Sequence, residues 1–321
     1  MIARRALLGS ASVLALPAVV RAQALFTRPV RFVLGFAAGG AGDITVRMLV
    51  PHMQAEIGQP IVVDNRPGAG GIISAEAVAR AAPDGHTMYL LTTSNMAAPA
   101  FYRTMPFDVT RDFAPVGRMV WYDHVIAVNP QLPVNTLAEL IAYAKARPGT
   151  LNIGSIAVGN AQHLGVELFR AMAGAPMTTV TYRSSPELIT ALSTGEIQVA
   201  GELLAPTLPQ VQAGRVKLLT VTAPTRFPTL PNVLTSAESG LPDYIVRSWN
   251  AIVFPANTPR PQIEAMNRAI RRALGVPEIR NRLIELGGLP EASSPEELGA
   301  MIPNEVVAWG RMAQLAGVEK Q

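Results

Sequence analysis

From Val30 onward the chain alternates short apolar runs with amphipathic segments, and this alternation restricts its fold more than any other feature. Val30–Phe36 reads as a buried strand, and Asp43–Ile57 as a helix with Asp43 at the N-cap. Ile61–Asn65 is a strand, a glycine-rich turn follows, and a helix runs from Ile72 to Ala81 before the strand Thr87–Thr93. Beyond a longer connection, Val116–Val128 reads as extended and Leu137–Arg147 as helical. Leu151–Ser155, Thr178–Tyr182, Ile197–Leu203 and Val216–Thr222 are further strands, separated by helices near 161–173, 186–194 and 206–213. Pro224 to Pro242 is an irregular connection, Val246–Phe254 is extended, and the remainder reads as helical. There Ser294-Pro295-Glu296-Glu297 forms a capping box with proline at the first helical position. On the helix Pro261–Leu274 the apolar Ile263, Ile270 and Leu274 share a face, leaving Arg268, Arg271 and Arg272 as a solvated one. Such a βαβ succession predicts an α/β protein with mostly parallel sheets covered by helices on both faces.

The chain has 321 residues, more than one core usually fills, and 49% of them are hydrophobic against 16% charged. Two lobes are expected, joined by extended crossings near Met119–Ile126 and Ser248–Phe254: residues 25–122 plus 250–321 form lobe 1, and 123–249 form lobe 2. Residues 1–24 read as a cleaved export leader. Arg4-Arg5 gives a basic start, Ala6 to Val20 is an apolar run too short to span a bilayer, and Ala22-Gln23-Ala24 is an A-x-A cleavage site. The formal net charge of +4 owes three of its units to Arg4, Arg5 and Arg21 of this leader; 24 basic and 23 acidic residues remain. A nucleic-acid partner, which needs a basic stripe on the folded domain, is therefore not expected. The chain has no cysteine, which removes disulfides, thiolate nucleophiles and cysteine-based metal sites.

Ligands of open α/β sheets bind beyond the carboxyl ends of strands, so the loops that follow strands are the candidates. Phe36-Ala37-Ala38-Gly39-Gly40-Ala41-Gly42-Asp43 enters a helix with exposed N–H groups, which suits an anion. A dinucleotide fingerprint fits it poorly: Thr45 stands where the third glycine belongs, although Asp64 lies where a ribose-binding acid would. In Asp64-Asn65-Arg66-Pro67-Gly68-Ala69-Gly70-Gly71, the glycines read as a turn with positive φ. Arg66 there is either a carboxylate clamp or the partner of Asp64. Thr92-Thr93-Ser94-Asn95, the segment Ser155 to His163 with Asn160, and Arg183-Ser184-Ser185 are rich in hydroxyls and amides. Converging on one cleft, they offer neutral donors to a carboxylate, each hydrogen bond to a charged group contributing roughly 1.5–3 kcal/mol. Catalysis finds little support: His52, His86, His124 and His163 have no metal-ligand spacing, and neither HExxH nor GxSxG occurs. A hydrolase using His163 and a serine is the enzymatic alternative; no catalytic residue, cofactor or metal is expected.

These stretches, taken in order, resemble the Bug family, the extracytoplasmic solute receptors of tripartite tricarboxylate transporters. The resemblance rests on Phe36 through Asp43, Asn65-Arg66-Pro67-Gly68-Ala69-Gly70-Gly71 with Glu76-Ala77-Val78-Ala79, and Ala82-Pro83-Asp84-Gly85. It continues through Asp112-Phe113-Ala114-Pro115-Val116, Leu151-Asn152-Ile153-Gly154-Ser155 with His163-Leu164, Gly240-Leu241-Pro242 and Pro255-Ala256-Asn257-Thr258-Pro259. The resemblance implies a monomeric periplasmic binding protein of Venus-flytrap, type II-like architecture, closing on a small organic acid and delivering it to integral-membrane transporter subunits. Ligands known in the family include tricarboxylates, dicarboxylates, acidic amino acids, nicotinate-type compounds and aromatic acids, held by backbone amides, hydroxyls and waters. A sensor that presents the ligand to a membrane signalling partner is the other binding role.

Departures from the family pattern fall in the expected site. Ala37-Ala38 replaces Pro-Pro, Gly42 a hydroxyl residue, Arg183-Ser184 Lys-Gly, and Asn160 a Thr or Ser. Gly201-Glu202-Leu203 stands where Phe-Asp-Ser is usual. Losing a Phe and a hydroxyl changes pocket volume and donor count and predicts a ligand unlike the commonest one, larger or aromatic; Glu202, ionised and facing the cleft, would disfavour a second carboxylate on it and favour a cationic or amide group.

Overall fold

The computed structural model describes residues 24–320; apart from Ala24, the leader read at 1–24 lies outside the described residues. The first run comprises β1 (Val30–Leu34), α1 (Ala41–Ile57), β2 (Ile61–Asn65), α2 (Ile72–Ala79), β3 (Thr87–Thr92) and α3 (Thr93–Phe101). The long strand β4 (Phe113–Val128) leads to the second run: α4 (Leu137–Ala146), β5 (Asn152–Ile156), α5 (Ala161–Ala173), β6 (Thr178–Tyr182), α6 (Ser185–Thr194), β7 (Val199–Leu203), α7 (Leu204–Gln212) and β8 (Lys217–Val221). Strand β9 (Arg247–Pro255) returns, followed by α8 (Arg260–Gly275), α9 (Pro277–Glu285), β10 (Gly288–Pro290) and α10 (Pro295–Leu315).

The strands are paired in the order β2-β1-β3-β9-β4-β7-β5-β6, with β8 and β10 also on β4. The outer pairs β1–β2, β1–β3, β5–β6 and β5–β7 are parallel, as βαβ crossovers require. The pairs made by β9 with β3 and by β4 with its four neighbours are antiparallel, so each sheet is mixed. Residues Phe113–Asp123 of β4 pair with β9 in one sheet, and His124–Val128 pair with β7 and β8 in the other. The backbone passes between sheets at Asp123/His124, inside the expected crossing. The second passage falls at Val246/Arg247, just before the expected one: Val246 N–H donates to Thr222 O at 3.0 Å, and Arg247 pairs with Asp123.

Three local expectations are corrected. Asp43 is not the N-cap: α1 starts at Ala41 behind Gly40, and Asp43 at the third helical position accepts from the Gly39 N–H at 2.9 Å. The long connection before β4 contains α3, whose capping box pairs Thr92 with Asn95. Within the C-terminal segment read as helical, Gly287 at φ 82° stops the chain from continuing α9, and β10 lies antiparallel along Tyr122–Val120. A Cβ on Gly288 would stand 3.0 Å from Val120, so this edge needs the glycine. The Ser294 capping box is formed, with Glu297 N–H donating to Ser294 Oγ at 3.1 Å.

One apolar cluster runs unbroken from Tyr89 and Trp249 in the first sheet to Ile153 in the second and Phe169 of α5 on it, sealed by Leu298 and Ile302 of α10. A second fills the space between the first sheet, α1 and α8; a third lies beneath α6 and α7. At the passage itself Arg247 Nε donates to Asp123 Oδ1 at 2.7 Å, and its guanidinium lies 4.6 Å from the Trp121 ring centroid. Asp123 is 1% exposed and its Oδ2 has no partner among the described residues, so burial, only partly offset by Arg247, raises its pKa above the ordinary carboxylate range. Removing the arginine leaves that carboxyl alone in the interior. We expect Arg247→Ala to cost about 3 kcal/mol, and Asp123→Asn, which keeps the shape and drops the charge, less than about 1 kcal/mol. Urea unfolding of both variants at pH 7 checks this asymmetry, and equal losses contradict it.

Candidate functional site

The β1–α1 loop is held from within. Asp43, 2% exposed, accepts from the Gly39 N–H, from Arg47 Nε at 3.0 Å on each oxygen, and from Asn65 Nδ2 at 3.0 Å. Burial works to raise its pKa, but these donors outweigh it and hold the carboxylate below its ordinary range. Asp43 is therefore the anchor of the loop, not a ligand donor. Asn65 Nδ2 also reaches Phe36 O at 3.1 Å, and Gly39 takes φ 87°, so the loop arches over the start of α1. Gly40, the N-cap, has no side chain to offer, and the N–H groups of Ala41 and Gly42 meet no acceptor among the described residues. A Cβ on Gly42 would lie 2.9 Å from Asn250 Nδ2 and equally close to the Phe36 ring. The missing hydroxyl of this position has thus let an amide and an aromatic ring close in. Asn250 is 6% exposed, and its amide makes no hydrogen bond among the described residues.

The donors of α3 and α5 divide into internal and outward ones. Thr93 Oγ1 accepts from the Trp249 N–H at 2.7 Å, and Asn95 binds the Thr92 N–H at 2.9 Å and the Tyr89 hydroxyl at 3.3 Å. Both are structural. Ser94, one position between them, faces the other sheet's loops, where its Oγ accepts from the Ala161 N–H at 3.4 Å. Asn160 caps α5 by accepting from the His163 N–H at 2.8 Å. Ser155 Oγ and His163 Nδ1 are 3.0 Å apart, with the Phe101 ring 6.0 Å from the imidazole. Burial lowers the His163 pKa, so the ring is neutral at neutral pH. Ser155 is wholly buried, and among the described residues no acid is hydrogen-bonded to the opposite ring nitrogen. This pair orients the β5–α5 loop and lacks the parts of a hydrolytic triad.

Glu202 lies at the end of β7, 1% exposed. Its Oε2 accepts from Ser185 Oγ at 2.9 Å and its Oε1 from the Leu203 N–H at 2.6 Å. Burial raises its pKa to about 7, with Leu203, Ser185 and Gln162 pulling the other way. Ser184 and Arg183 are exposed; Ser184 caps α6 without a side-chain bond, and the Arg183 N–H donates to Glu187 at 3.1 Å. Gly201, expected to change the pocket's volume, does not open into it: a Cβ there would meet Val166 at 2.4 Å in the core beneath α5.

The structure therefore gathers Phe36, Gly42 and the unforeseen Asn250 at α1, Ser94, Asn160 and His163 between α3 and α5, and Ser185 and Glu202 at α6 and α7. Gln162, also unforeseen, connects the second group to the third. No hydrogen bond among the described residues joins the β1–α1 loop to Arg183 or Ser184. Arg66 is tied to Asp64 at 2.9 Å, so the local ion pair holds and the clamp does not. Gly68, Gly70 and Gly71 all have positive φ, as a turn requires. Among the described residues no cluster of His, Asp or Glu could hold a metal, and no helix is long and apolar enough to cross a membrane. A groove of about 580 Å³ opens elsewhere, between the start of α4, β8 and residues 232–239. It shares no residue with these loops, and its one charged residue, Glu238, is paired with Arg226.

Because Glu202 takes up a proton more readily in the folded chain than in the unfolded one, stability falls as pH rises through its raised pKa. We expect a loss of roughly 2–3 kcal/mol between pH 5 and 8, absent in Glu202→Gln. Urea unfolding across that range measures it; identical slopes for the two proteins contradict the assignment.

Comparison with known proteins agrees with the geometry. Residues 45–318 match the model of the tripartite tricarboxylate transporter family receptor. The chain is 31% identical over 304 residues to BugT of Bordetella pertussis, covering 94% of this chain and 93% of that one. Among solved structures, R. palustris Rpa4515 with adipate has a TM-score of 0.86 at 33% identity, covering 92% of this chain and 99% of that one. MatC (Rpa3494) from Rhodopseudomonas palustris with bound malate has a TM-score of 0.82 at 29% identity, covering 89% of this chain and 99% of that one. The chain belongs to the Bug family of tripartite tricarboxylate transporter receptors.

Proposed function

We propose that this chain is an exported, monomeric receptor that captures a small carboxylate between its two lobes and delivers it unchanged to integral-membrane transporter subunits. Residues 1–24 are removed as the leader, leaving the protein in the periplasm. Lobe 1 is 25–122 plus 250–321 and lobe 2 is 123–249; the strand pairing supports moving the second boundary to Val246/Arg247. The observation that carries this reading is the meeting of α3 and α5, where the Ala161 N–H reaches Ser94 Oγ, while Thr92 just before α3 pairs with Asn250, whose amide lies against Gly42 at the uncapped start of α1. Loops from both sheets thus bring uncharged donors to one place. The cations nearest the β1–α1 loop, Arg47 and Arg66, are already paired with Asp43 and Asp64.

Gly40, Ala41, Gly42 and Asn250 would receive the carboxylate from lobe 1, with Gly39, bonded to Asp43, shaping the loop and Phe36 covering it. Ser94 of lobe 1 would join them, and Asn160 and His163 of lobe 2 would close on it from the other side. Asp43, Thr93, Asn95 and Ser155 hold these groups in position. The carboxylates bound to Rpa4515 and MatC, adipate and malate, support the ligand class. A few charge-assisted hydrogen bonds suffice for micromolar capture and still permit release.

A melting screen over aliphatic and aromatic acids tests the reading. An acid at 100-fold its Kd stabilises the protein by about 2.7 kcal/mol, and a panel that leaves the melting temperature unmoved contradicts it. With the acid that raises it most, Asn250→Ala should bind about tenfold more weakly while melting as the parent does when ligand is absent. Unchanged affinity in that variant removes Asn250 from the site.

A further inference from the structure

Thr45, the residue that spoils the dinucleotide fingerprint, meets a tyrosine from the crossing strand. Its Oγ1 lies 2.5 Å from the Tyr122 hydroxyl, and that hydroxyl donates to the Ala41 carbonyl at 3.2 Å. A phenol has one hydrogen and a carbonyl only accepts. The order of donors is therefore fixed: Thr45 gives to Tyr122, and Tyr122 gives to Ala41. Both residues are 3% exposed, so water does not compete for either hydroxyl. Burial pushes the Tyr122 phenol up to about 12, with Thr45 pulling the other way, and the donor stays protonated throughout the neutral range. The ring lies against a glycine of the neighbouring strand: a Cβ on Gly288, which pairs with Tyr122, would stand 3.2 Å from Tyr122 Cε1.

The other end of the accepting peptide is what gives this contact a use. The Ala41 C=O and the Gly42 N–H belong to one planar amide. Gly42 is buried, and its N–H meets no acceptor among the described residues, a condition that buried backbone N–H groups rarely keep. A donor on the carbonyl orients this amide and draws charge from its nitrogen, which makes the N–H a stronger donor in turn. The preceding peptide lacks such backing: among the described residues its carbonyl, Gly40 O, takes only the helical bond from the Ile44 N–H at 3.0 Å.

We propose that Tyr122, backed by Thr45, is a positioning residue of the carboxylate site: it holds the Ala41–Gly42 peptide so that the Gly42 N–H is aimed at the ligand's carboxylate and strengthened for it. This deepens the carboxylate-receptor reading and rests on it. Tyr122 does not touch the ligand; it acts from behind, through the amide. It belongs to β4 and stands one residue before the last that pairs with β9, where the backbone passes to the other sheet. The anion position at α1 is thus braced by the strand that joins the lobes, while Asp43 braces the loop from within.

Calorimetric titration of the purified protein with butanedioate, hexanedioate and benzoate, beside carbonyl and amide spectra of the ligand-free labelled protein, tests the proposal. Tyr122→Phe keeps the ring and removes the donor; it should bind the tightest of the three acids about fivefold more weakly. Its ligand-free spectrum should show the Ala41 carbonyl carbon and the Gly42 amide nitrogen moved upfield together, further than the same nuclei elsewhere in α1. A general loosening of the packing would spread over the helix and would not single out that peptide. Thr45→Val removes the first donor and leaves Tyr122 on Ala41, so it should weaken binding about twofold, with smaller shifts in the same direction. It carries the test if Tyr122→Phe does not fold. Unchanged affinity in either folded variant, or an unmoved Ala41–Gly42 peptide, overturns the proposal and leaves the receptor reading standing. If none of the three acids binds the parent protein, the carboxylate reading falls and takes the proposal with it.

Discussion

The structure depends on one continuous strand. β4 enters one sheet at Phe113 and leaves the other at Val128, changing partners from β9 to β7 and β8 at Asp123/His124. A strand cannot twist freely within a sheet, so any relative motion of the lobes must concentrate at this change and at Val246/Arg247 beside it. The side chains there are arranged accordingly. His124 Nε2 and Ser248 Oγ are 2.7 Å apart, Thr222 Oγ1 donates to Val246 O at 2.5 Å, and Arg247 meets Asp123. Polar groups at the passage thus meet in pairs, with Asp123 Oδ2 left over, while the apolar cluster beneath α10 continues from one sheet to the other.

Because βαβ units place helix starts beyond the carboxyl ends of strands, the two sheets turn the starts of α1, α3, α5, α6 and α7 toward the region between them. The chain treats these starts differently. α1 is left uncapped, with a glycine at the N-cap and an unpartnered amide against its first turn. α3 and α5 are capped by their own side chains, Asn95 and Asn160, leaving Ser94 and the Ala161 N–H to face each other. α6 and α7 are turned on Glu202. One open anion position and one filled by an internal acid make the site directional. The near balance of charge outside the leader, 24 basic against 23 acidic residues, fits such a site, since net field adds little.

The fold was legible in the chain because the apolar runs have the length and spacing of βαβ units; Thr178–Tyr182 and Ala161–Ala173 fall where periodicity puts them. What could not be read was long-range. Nothing local shows that β9 runs antiparallel to both β3 and β4, nor that Gly288–Pro290 leaves the helical pattern to lie on Tyr122. In the site, a rule that polar loop residues face the cleft picked out Ser94 and Asn160, but it also picked out Thr93 and Asn95, which are consumed by the backbone and by Tyr89. Asn250 escaped because it sits inside an apolar strand. The trace it leaves is a polar residue amid Trp249–Phe254, facing the same side as Ile252 and Phe254. Gly201 misled for the opposite reason: alternation along β7 sends it into the core and sends Glu202 the other way.

The central claim is that both lobes hold one carboxylate with uncharged groups, backbone N–H at the start of α1 and side chains at the starts of α3 and α5. Backbone amide resonances of the isotopically labelled protein, followed while adding the acid that most raises its melting temperature, test this most directly. The account predicts that Gly40, Ala41 and Gly42 shift together with Ala161, Gln162 and His163 along one binding curve. Shifts confined to one of these loops, or gathered around Asn135–Ala138 and Leu219, would contradict it.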